Sequence, residues 1–199
     1  MASRLLDVML SILALTLLSP MFVVIGAVIK ITSHGPVFFR QTRVGLHGRE
    51  FSIVKFRTMT ALTGAESGIF RPGNTKRCTR VGGILRASKI DELPQFWNVL
   101  KGEMSLVGPR PEVRSWVDEY PEKWAFVHKV KPGITDPASI KYRNEEKILA
   151  ASGDPEETYR EEILPRKLDL YEDYVKTKSL FNDIRLLGKT FIALFQYKR

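Results

Sequence analysis

One apolar stretch near the N-terminus constrains this chain more than any other feature of its sequence. Residues 5–29 are almost uniformly apolar, and Asp7 is the only charged residue among them. A helix of about 20 apolar residues is long enough to cross a bilayer. A cleaved signal peptide fits poorly, because the apolar run is too long for one and strand-like sequence follows almost at once. We therefore expect a membrane protein.

Two membrane arrangements are open for this segment: a straight span, and a helix that enters and leaves on the same face. Ser19 and Pro20 lie near its middle. Proline kinks a helix by removing a backbone donor, and the serine hydroxyl can bind a carbonyl that the proline leaves unpaired. Arg4 and Lys30 flank the segment, and basic residues favour the cytoplasm, which supports the re-entrant form. Spanning helices also contain prolines, so these residues leave both arrangements open.

The composition limits the possible partners and cofactors. The chain has 199 residues, with 31 Lys and Arg against 22 Asp and Glu, a net charge of +9. Such an excess indicates an anionic partner, such as nucleic acid, phospholipid or a phosphorylated substrate. A single cysteine, Cys78, excludes an internal disulfide, and three scattered histidines give no zinc-binding spacing. The length predicts one domain.

The rest of the chain predicts an α/β (α+β), mostly helical fold. Residues 37–45 and 50–59 have the alternation of a β-hairpin, and the Gly-rich and Thr-rich residues 60–78 are typical of a loop. Helical patterns cover 79–103, 116–130, 145–151 and 155–178, and an irregular segment covers 134–144. The last 21 residues predict an amphipathic helix, which either lies in a membrane interface or closes the core.

Lys55 and Arg57 are the first of three groups suited to phosphate chemistry. They lie two residues apart in the second predicted strand, so they share one face of it. Two cations on one face can hold a diphosphate, although such a pair is more often a solvated strand surface. The sequence alone leaves both interpretations open.

An acidic pair, Asp91 and Glu92, is the second group. Pro94 follows closely and places the pair at the start of a helix, where acidic residues are common caps. The same position keeps a carboxylate ionised, and its free backbone amides can bind phosphate. An ionised aspartate can attack phosphorus and form an aspartyl phosphate. The pair is therefore a candidate for capping and for catalysis.

Arg110, between Pro109 and Pro111, is the third group. The two prolines restrict the backbone, so the guanidinium is presented with little entropy left to lose, and its forked geometry matches phosphate oxygens. By itself, such an arginine is usually a turn residue.

The order of these groups resembles the bacterial sugar transferase family, the small monotopic polyprenyl-phosphate phosphoglycosyl transferases of the minimal, catalytic-unit type. The resemblance is carried by the Ser-Pro break and by GPVFFRQTRVG, KFRTM, LRASKIDELPQFWNVLKGEMSLVGPRP and KPGIT. It implies a single catalytic domain over 1–199, in which residues 1–30 form a re-entrant helix and residues 31–199 form a cytosolic, membrane-associated globular part. The implied location is the cytoplasmic face of the bacterial inner membrane.

The resemblance also implies a two-step, Mg²⁺-dependent reaction. Asp91 would attack the sugar-bearing phosphate of a UDP-sugar and release UMP, and polyprenyl phosphate, in the undecaprenyl form, would then accept the sugar phosphate. Asp91 would also hold the metal, and Glu92 would orient the nucleophile or assist with protons. Candidate substrate contacts are Arg110, Lys55, Arg57, Arg86 and Arg143.

The chain departs from the larger members of the family after Thr135. Those members often continue with a Gly-Trp-Ala-Gln-Val run, where this chain has Asp136-Pro137-Ala138-Ser139-Ile140. The difference leaves the sugar open, and the oligomeric state is open as well.

Two rival functions use the same features. One is a membrane-tethered basic protein that binds anionic lipid or nucleic acid, and the other is a spanning glycosyltransferase that moves a sugar without its phosphate. No nucleic-acid partner is expected, because the basic residues do not form the aromatic-interleaved strip that binds single strands.

Overall fold

The structure is a computed structural model that describes residues 2–60 and 77–195. Most of the predicted loop at 60–78 therefore lies outside the described residues. The helices are α1 (Ala2–Thr32), α2 (Arg80–Ala87), α3 (Phe96–Lys101), α4 (Arg114–Val117), α5 (Pro121–Val127), α6 (Pro137–Lys141), α7 (Glu145–Ala151), α8 (Pro155–Thr158), α9 (Leu164–Thr177) and α10 (Leu180–Phe195). The strands are β1 (Phe38–Val44), β2 (Glu50–Phe56), β3 (Ser105–Val107) and β4 (Gly133–Thr135).

Two small sheets accompany these helices. Strands β1 and β2 pair antiparallel, with Phe38 opposite Phe56, which confirms the predicted hairpin. Strands β3 and β4 pair in parallel, with Ser105 opposite Gly133. The fold is mostly helical with small sheets, as the sequence predicts.

Helix α1 is long and apolar enough to cross a membrane, by length and composition, and it is the one such helix in the described part of the chain. Pro20 lies inside this continuous helix. A proline cannot donate to the carbonyl four residues earlier, here that of Thr16. The Ser19 hydroxyl donates to that same carbonyl at 2.8 Å, which is the contact that the sequence predicts. Whether the helix spans the bilayer or returns stays a prediction at this point.

Both ends of α1 contact the rest of the protein. Near the start, the guanidinium of Arg4 donates to the backbone carbonyls of Val99 and Leu100 at the end of α3. Near the other end, Ile29 is buried against Phe56 at the end of β2. The intervening surface of the helix is largely exposed, as expected of a lipid-facing segment.

The main hydrophobic core lies among α4, α5, α9 and the end of β1. Its largest fully buried side chains include Trp124 of α5 and Tyr171 of α9. A second cluster joins β2, α3 and β3 through Ile53, Val99 and Leu106. Each large apolar side chain buried in this way contributes about 1.5–3 kcal/mol. The second cluster therefore fixes the hairpin against the segments that carry the acidic pair and Arg110.

The prediction of one continuous helix over 116–130 is wrong, although most of the range is helical. The structure has two short helices instead, α4 and α5, and Pro121 begins the second. Proline lacks the amide that would continue α4 and is well suited to the first turn of a new helix. The proline therefore divides what looks like a single amphipathic pattern.

The predicted irregular segment over 134–144 is wrong as well, because it contains the end of β4 and all of α6. Asp136 caps α6 by accepting a hydrogen bond from the Ser139 amide at 2.8 Å, and Pro137 occupies the first turn. An Asp-Pro pair is a helix-start signal that the sequence contained.

The helical pattern over 79–103 is also interrupted. Two residues after α2 ends, Lys89 adopts a left-handed backbone conformation with φ 59°. A 3₁₀ turn over Ile90–Gln95 then leads into α3. Such a left-handed backbone is uncommon for a residue with a side chain, and strained residues of this kind cluster at functional sites.

Candidate active site

The acidic pair lies in the 3₁₀ turn that connects α2 to α3. Asp91 and Glu92 are only 7% and 8% exposed, respectively. Pro94 lies in the same turn, just before α3 begins, so the predicted position at a helix start is confirmed. Neither carboxylate is a solvated cap, because both are buried.

Asn98 fixes this turn against the hairpin. Its side-chain amide donates to the Ser52 carbonyl at 2.7 Å and to Glu103 at 2.7 Å, and its side-chain oxygen accepts from the Val54 amide at 3.0 Å. The residue is fully buried, so these contacts are not exchanged with water. They hold the start of α3 against β2, which brings Lys55 to the acidic pair.

Glu92 is the centre of a buried ion-pair cluster. The Lys55 ammonium donates to Oε1 at 2.7 Å, and the Arg110 guanidinium bonds both carboxylate oxygens, one of them at 3.3 Å. Burial alone would raise the pKa of Glu92, but the charges of Arg110 and Lys55 outweigh burial and lower that pKa well below its usual range. Glu92 is therefore held as a carboxylate.

Asp91 has the opposite environment. Its Oδ1 atom is buried and has no hydrogen-bond partner. Burial, and then the negative charge of Glu92, raise the pKa of Asp91 to about 6. A buried polar atom without a partner is costly and is uncommon in folded proteins. At neutral pH the group is mostly ionised, yet one of its oxygens is not engaged by the protein.

The turn that presents Arg110 is fixed by a close contact between two glycines. A β-carbon on Gly133 would lie 2.1 Å from the backbone nitrogen of Gly108, far inside any allowed separation. The Gly133 amide donates to the Pro109 carbonyl at 3.0 Å. The GPRP and KPG segments therefore pack backbone to backbone, and only glycine fits at both positions.

A second buried charge network lies next to this turn, and no sequence pattern predicted it. Glu112 accepts hydrogen bonds from Arg43 at 3.0 Å and from the Tyr159 hydroxyl at 2.6 Å, and the Lys167 ammonium lies 3.8 Å from it. These residues are far apart in the chain, so no local pattern connects them. The network anchors the segment that follows Pro111.

The structure brings together Asp91, Glu92, Lys55 and Arg110. Arg57 is buried, and its Nη2 donates to the Ser33 carbonyl and hydroxyl, both at 2.8 Å, while its Nε and Nη1 atoms have no partner. Arg57 therefore contacts the residue that directly follows α1, and two of its donor atoms have no partner.

Arg86 and Arg143 are the two remaining predicted substrate contacts. Arg86 is partly buried in the last turn of α2, close to the acidic turn in sequence. Arg143 donates to the Ala193 carbonyl of α10, a contact that does not bring it to Asp91. The roles predicted for these arginines stay predictions, as does the membrane role of Ser19 and Pro20.

The acidic pair fits a magnesium ion that is shared with a substrate better than a preformed metal site. Within residues 2–60 and 77–195, no group of three or more His, Cys, Asp or Glu side chains could hold a metal. Mg²⁺ commonly binds one or two carboxylates together with substrate phosphates. The unpartnered Oδ1 of Asp91 is a suitable carboxylate ligand of this kind.

Comparison with known proteins gives consistent matches. The family described as bacterial sugar transferase matches residues 1–197. The chain is 39% identical over 187 residues to the UDP-N-acetylgalactosamine-undecaprenyl-phosphate N-acetylgalactosaminephosphotransferase of Aeromonas hydrophila, covering 92% of this chain and 41% of the relative. It is 38% identical over 197 residues to the UDP-glucose:undecaprenyl-phosphate glucose-1-phosphate transferase of Klebsiella pneumoniae, covering 97% and 39%.

A third relative is closer to this chain in length. The uncharacterized sugar transferase EpsL of Bacillus subtilis is 39% identical over 187 residues, covering 94% of this chain and 84% of the relative. In contrast, the chain spans about two fifths of the length of the first two relatives.

Proposed function

This chain belongs to the bacterial sugar transferase family, and from that premise we propose that it transfers a sugar-1-phosphate from a UDP-sugar to polyprenyl phosphate, with undecaprenyl phosphate as the acceptor. Two relatives are named for undecaprenyl-phosphate sugar phosphotransferase activities, which supports the reaction class. The observation that carries the proposal is the buried Asp91 oxygen without a partner, beside a Glu92 that Lys55 and Arg110 neutralise.

In the first step, a carboxylate oxygen of Asp91 attacks the sugar-bearing phosphorus of the UDP-sugar. The bond between that phosphorus and the bridging oxygen breaks, and UMP leaves with the bonding electrons. The sugar phosphate remains on Asp91 as an acyl phosphate. The raised pKa of Asp91, about 6, supports this role, because a carboxylate of higher pKa is a better nucleophile and is still ionised at neutral pH.

In the second step, a phosphate oxygen of the polyprenyl phosphate attacks the same phosphorus. The bond to Asp91 breaks, the carboxylate is regenerated, and the product is a polyprenyl diphosphate sugar. Dividing the transfer into two displacements lets a water-soluble donor and a lipid acceptor use one nucleophile in turn. The acceptor phosphate needs no strong base near neutral pH, so Glu92 is not required to remove a proton.

Glu92, Lys55 and Arg110 prepare the site for a diphosphate. Arg110 has five N–H donors and bonds Glu92 with only some of them, so other donors are left for phosphate oxygens. Glu92 keeps Arg110 and Lys55 oriented, since its pKa is held low and it stays charged. Arg57 has two donor atoms without partners and is the next candidate for a phosphate contact.

Magnesium is the cofactor that we propose for this site. When bound, it would neutralise the diphosphate charge that otherwise repels Asp91. Asp91, whose Oδ1 atom has no hydrogen-bond partner, would hold the ion together with phosphate oxygens of the substrate.

We further propose that α1 is re-entrant and that the globular part lies on the cytoplasmic face of the inner membrane. A spanning helix would carry its first residues across a hydrocarbon layer of about 30 Å, away from a globular part on one side. Arg4 contacts the end of α3, while Ser33, just after α1, binds Arg57. Contacts at both ends therefore support a helix that returns.

The exposed face of α10 supports the same arrangement. Phe181 and Phe191 of this helix are 75% and 64% exposed, while Leu186 and Leu187 pack against the second hydrophobic cluster. A helix with one packed face and one exposed apolar face is suited to the membrane interface. Helix α10 can therefore close the core with one face and lie in the membrane interface with the other, so these two alternatives from the sequence are compatible.

The nucleotide released from a UDP-sugar tests the proposed reaction. The purified protein is incubated with a panel of UDP-sugars, Mg²⁺ and undecaprenyl phosphate, and the nucleotide product is identified. We expect UMP from at least one donor. UDP as the product would instead indicate a transferase that moves the sugar alone, and no nucleotide release from any donor would favour a basic lipid-binding protein.

A further inference from the structure

Asp7 is a buried carboxylate inside the apolar helix α1, and the proposed mechanism gives it no role. Its side chain is only 6% exposed. Its Oδ2 atom accepts from the Ser105 hydroxyl at 2.8 Å, and its Oδ1 atom accepts from the Leu106 amide at 3.1 Å. An ionisable residue in a membrane segment is costly and usually marks a functional site. Here both carboxylate oxygens are bound by β3.

Arg4 lies one turn before Asp7 on the same face of α1, because residues three apart are neighbours on a helix. Its two terminal nitrogens donate to the carbonyls of Val99 and Leu100, at 2.6 and 2.9 Å. These carbonyls belong to the C-terminal end of α3, where unpaired carbonyl groups favour a cation. The first turns of α1 therefore contact α3 and β3 at once.

These two elements carry the two halves of the active site. Helix α3 continues directly from the turn that holds Asp91 and Glu92. Strand β3 leads directly into the turn that presents Arg110. The Glu92 to Arg110 ion pair joins the turn before α3 to the turn after β3. Arg4 and Asp7, in the first turns of α1, bridge these two elements.

We propose that Asp7, assisted by Arg4, is a positioning residue that couples the docking of the membrane helix to the assembly of the active site. Hydrogen bonds from β3 to Asp7 set the position of the strand relative to α3, and thereby the position of Arg110 at Glu92. The kinetic part of this inference rests on the proposed function, since it uses UMP release as its readout.

Two substitutions at Asp7 separate hydrogen bonding from charge. In Asp7→Asn, the side-chain oxygen still accepts from the Leu106 amide, and the side-chain N–H can donate to the Ser105 hydroxyl. In Asp7→Leu both bonds are lost. We expect kcat for UMP release to fall by roughly 10- to 100-fold in the leucine variant, because small misplacements of catalytic groups have effects of that size. The asparagine variant should retain most of kcat.

Ser11 provides a matched control. It lies one turn after Asp7 on α1, is fully buried, and its hydroxyl has no hydrogen-bond partner. Ser11→Ala should therefore leave kcat unchanged. Ser105→Ala should lower kcat less than Asp7→Leu does, because the Leu106 amide keeps its acceptor. Thermal unfolding of each variant allows the rates to be compared per folded molecule.

Hydrogen exchange gives a second readout that needs no activity. Peptides that contain β3 and the Arg110 turn should exchange faster in Asp7→Leu than in the wild type or Ser11→Ala. The inference is overturned if these peptides are unchanged, if Asp7→Leu keeps the wild-type kcat per folded molecule, or if Asp7→Asn is as inactive as Asp7→Leu. A wild-type protein that releases no UMP overturns the proposed function instead, and the exchange result still decides the role of Asp7.

Discussion

Two adjacent carboxyl groups, Asp91 and Glu92, are buried to the same degree but have opposite pKa directions. The pKa of Glu92 is low because it contacts Arg110 and Lys55, and the pKa of Asp91 is high because burial and the Glu92 charge act on it. When the pKa values of two neighbouring carboxyl groups differ in this way, the two groups commonly have different roles in a reaction. The sequence predicted the pair and its position at a helix start. It could not predict the divergence, because Lys55 and Arg110 are 37 and 18 residues from Glu92.

The first prediction at the residue scale concerns Asp91→Asn. The amide cannot act as the proposed nucleophile, so UMP release should fall below detection. The fold should be retained, since Oδ1 of Asp91 has no hydrogen bond to lose. Asp118→Asn, at an exposed position after α4, is the matched control and should keep full activity. Near-normal turnover in Asp91→Asn would exclude the mechanism.

The second prediction concerns pH. Only the ionised form of Asp91 attacks phosphorus, and burial together with the Glu92 charge places its pKa at about 6. The rate of UMP release should therefore rise with pH through a midpoint near 6 and be small below it. Glu92 does not add a step in this range, because its pKa lies well below its usual value. A rate that stays constant from about pH 5 to about pH 7 would contradict this account of the nucleophile.

At the scale of elements, close backbone contacts explain why glycine occupies several positions in the sequence motifs. Gly82 of α2 packs against the Thr58 carbonyl, which a β-carbon would approach to 1.9 Å, and Gly108 packs against Gly133. These close approaches fix α2 and the Arg110 turn against their neighbours. The local sequence pattern correctly predicted the β1–β2 hairpin and helix α7. It failed at Pro121, where a proline divides the predicted helix.

The prediction at this scale concerns Gly133→Ala. The new methyl group would lie 2.1 Å from the Gly108 nitrogen, so the two segments must separate. We expect a loss of about 1–3 kcal/mol or more in the free energy of unfolding, as for other overpacked sites. Activity should fall as well, because Arg110 follows this contact. Thermal or denaturant unfolding measures the effect.

Gly153→Ala is the matched control, since a β-carbon at that position has open space around it. Its free energy of unfolding should stay close to that of the wild type. If Gly133→Ala were equally well tolerated, the backbone contact between the GPRP and KPG segments would not be required.

At the scale of the whole molecule, the arrangement of α1 on the globular part is what the sequence showed least well. The apolar run, its Ser-Pro pair and its length predicted a membrane helix with two possible arrangements. Asp7 stood out only as the single charge in that run. Its partners, Ser105 and Leu106, are almost 100 residues away, so the contact that holds the helix start is a property of the tertiary fold.

The prediction at this scale concerns membrane topology. A tag placed at Met1 should be accessible from the cytoplasm, because Arg4 contacts α3 of the globular part and basic residues favour that side. The measurement is protease or labelling access in spheroplasts compared with inverted membrane vesicles. A second tag at the exposed Gly153 reports the side on which the globular part lies, and we expect both tags to be accessible from the same side. Labelling of the Met1 tag from the periplasm would show that α1 spans the bilayer.

The mass of the protein after incubation with donor alone shows whether Asp91 becomes covalently modified. The wild type is mixed with UDP-sugar and Mg²⁺, without polyprenyl phosphate, and is weighed intact and as peptides. We expect a mass gain equal to one sugar phosphate on Asp91, together with UMP release, and we expect no mass gain in Asp91→Asn. A wild type that releases UMP and forms product, yet never carries this added mass on Asp91, would contradict the proposed covalent mechanism.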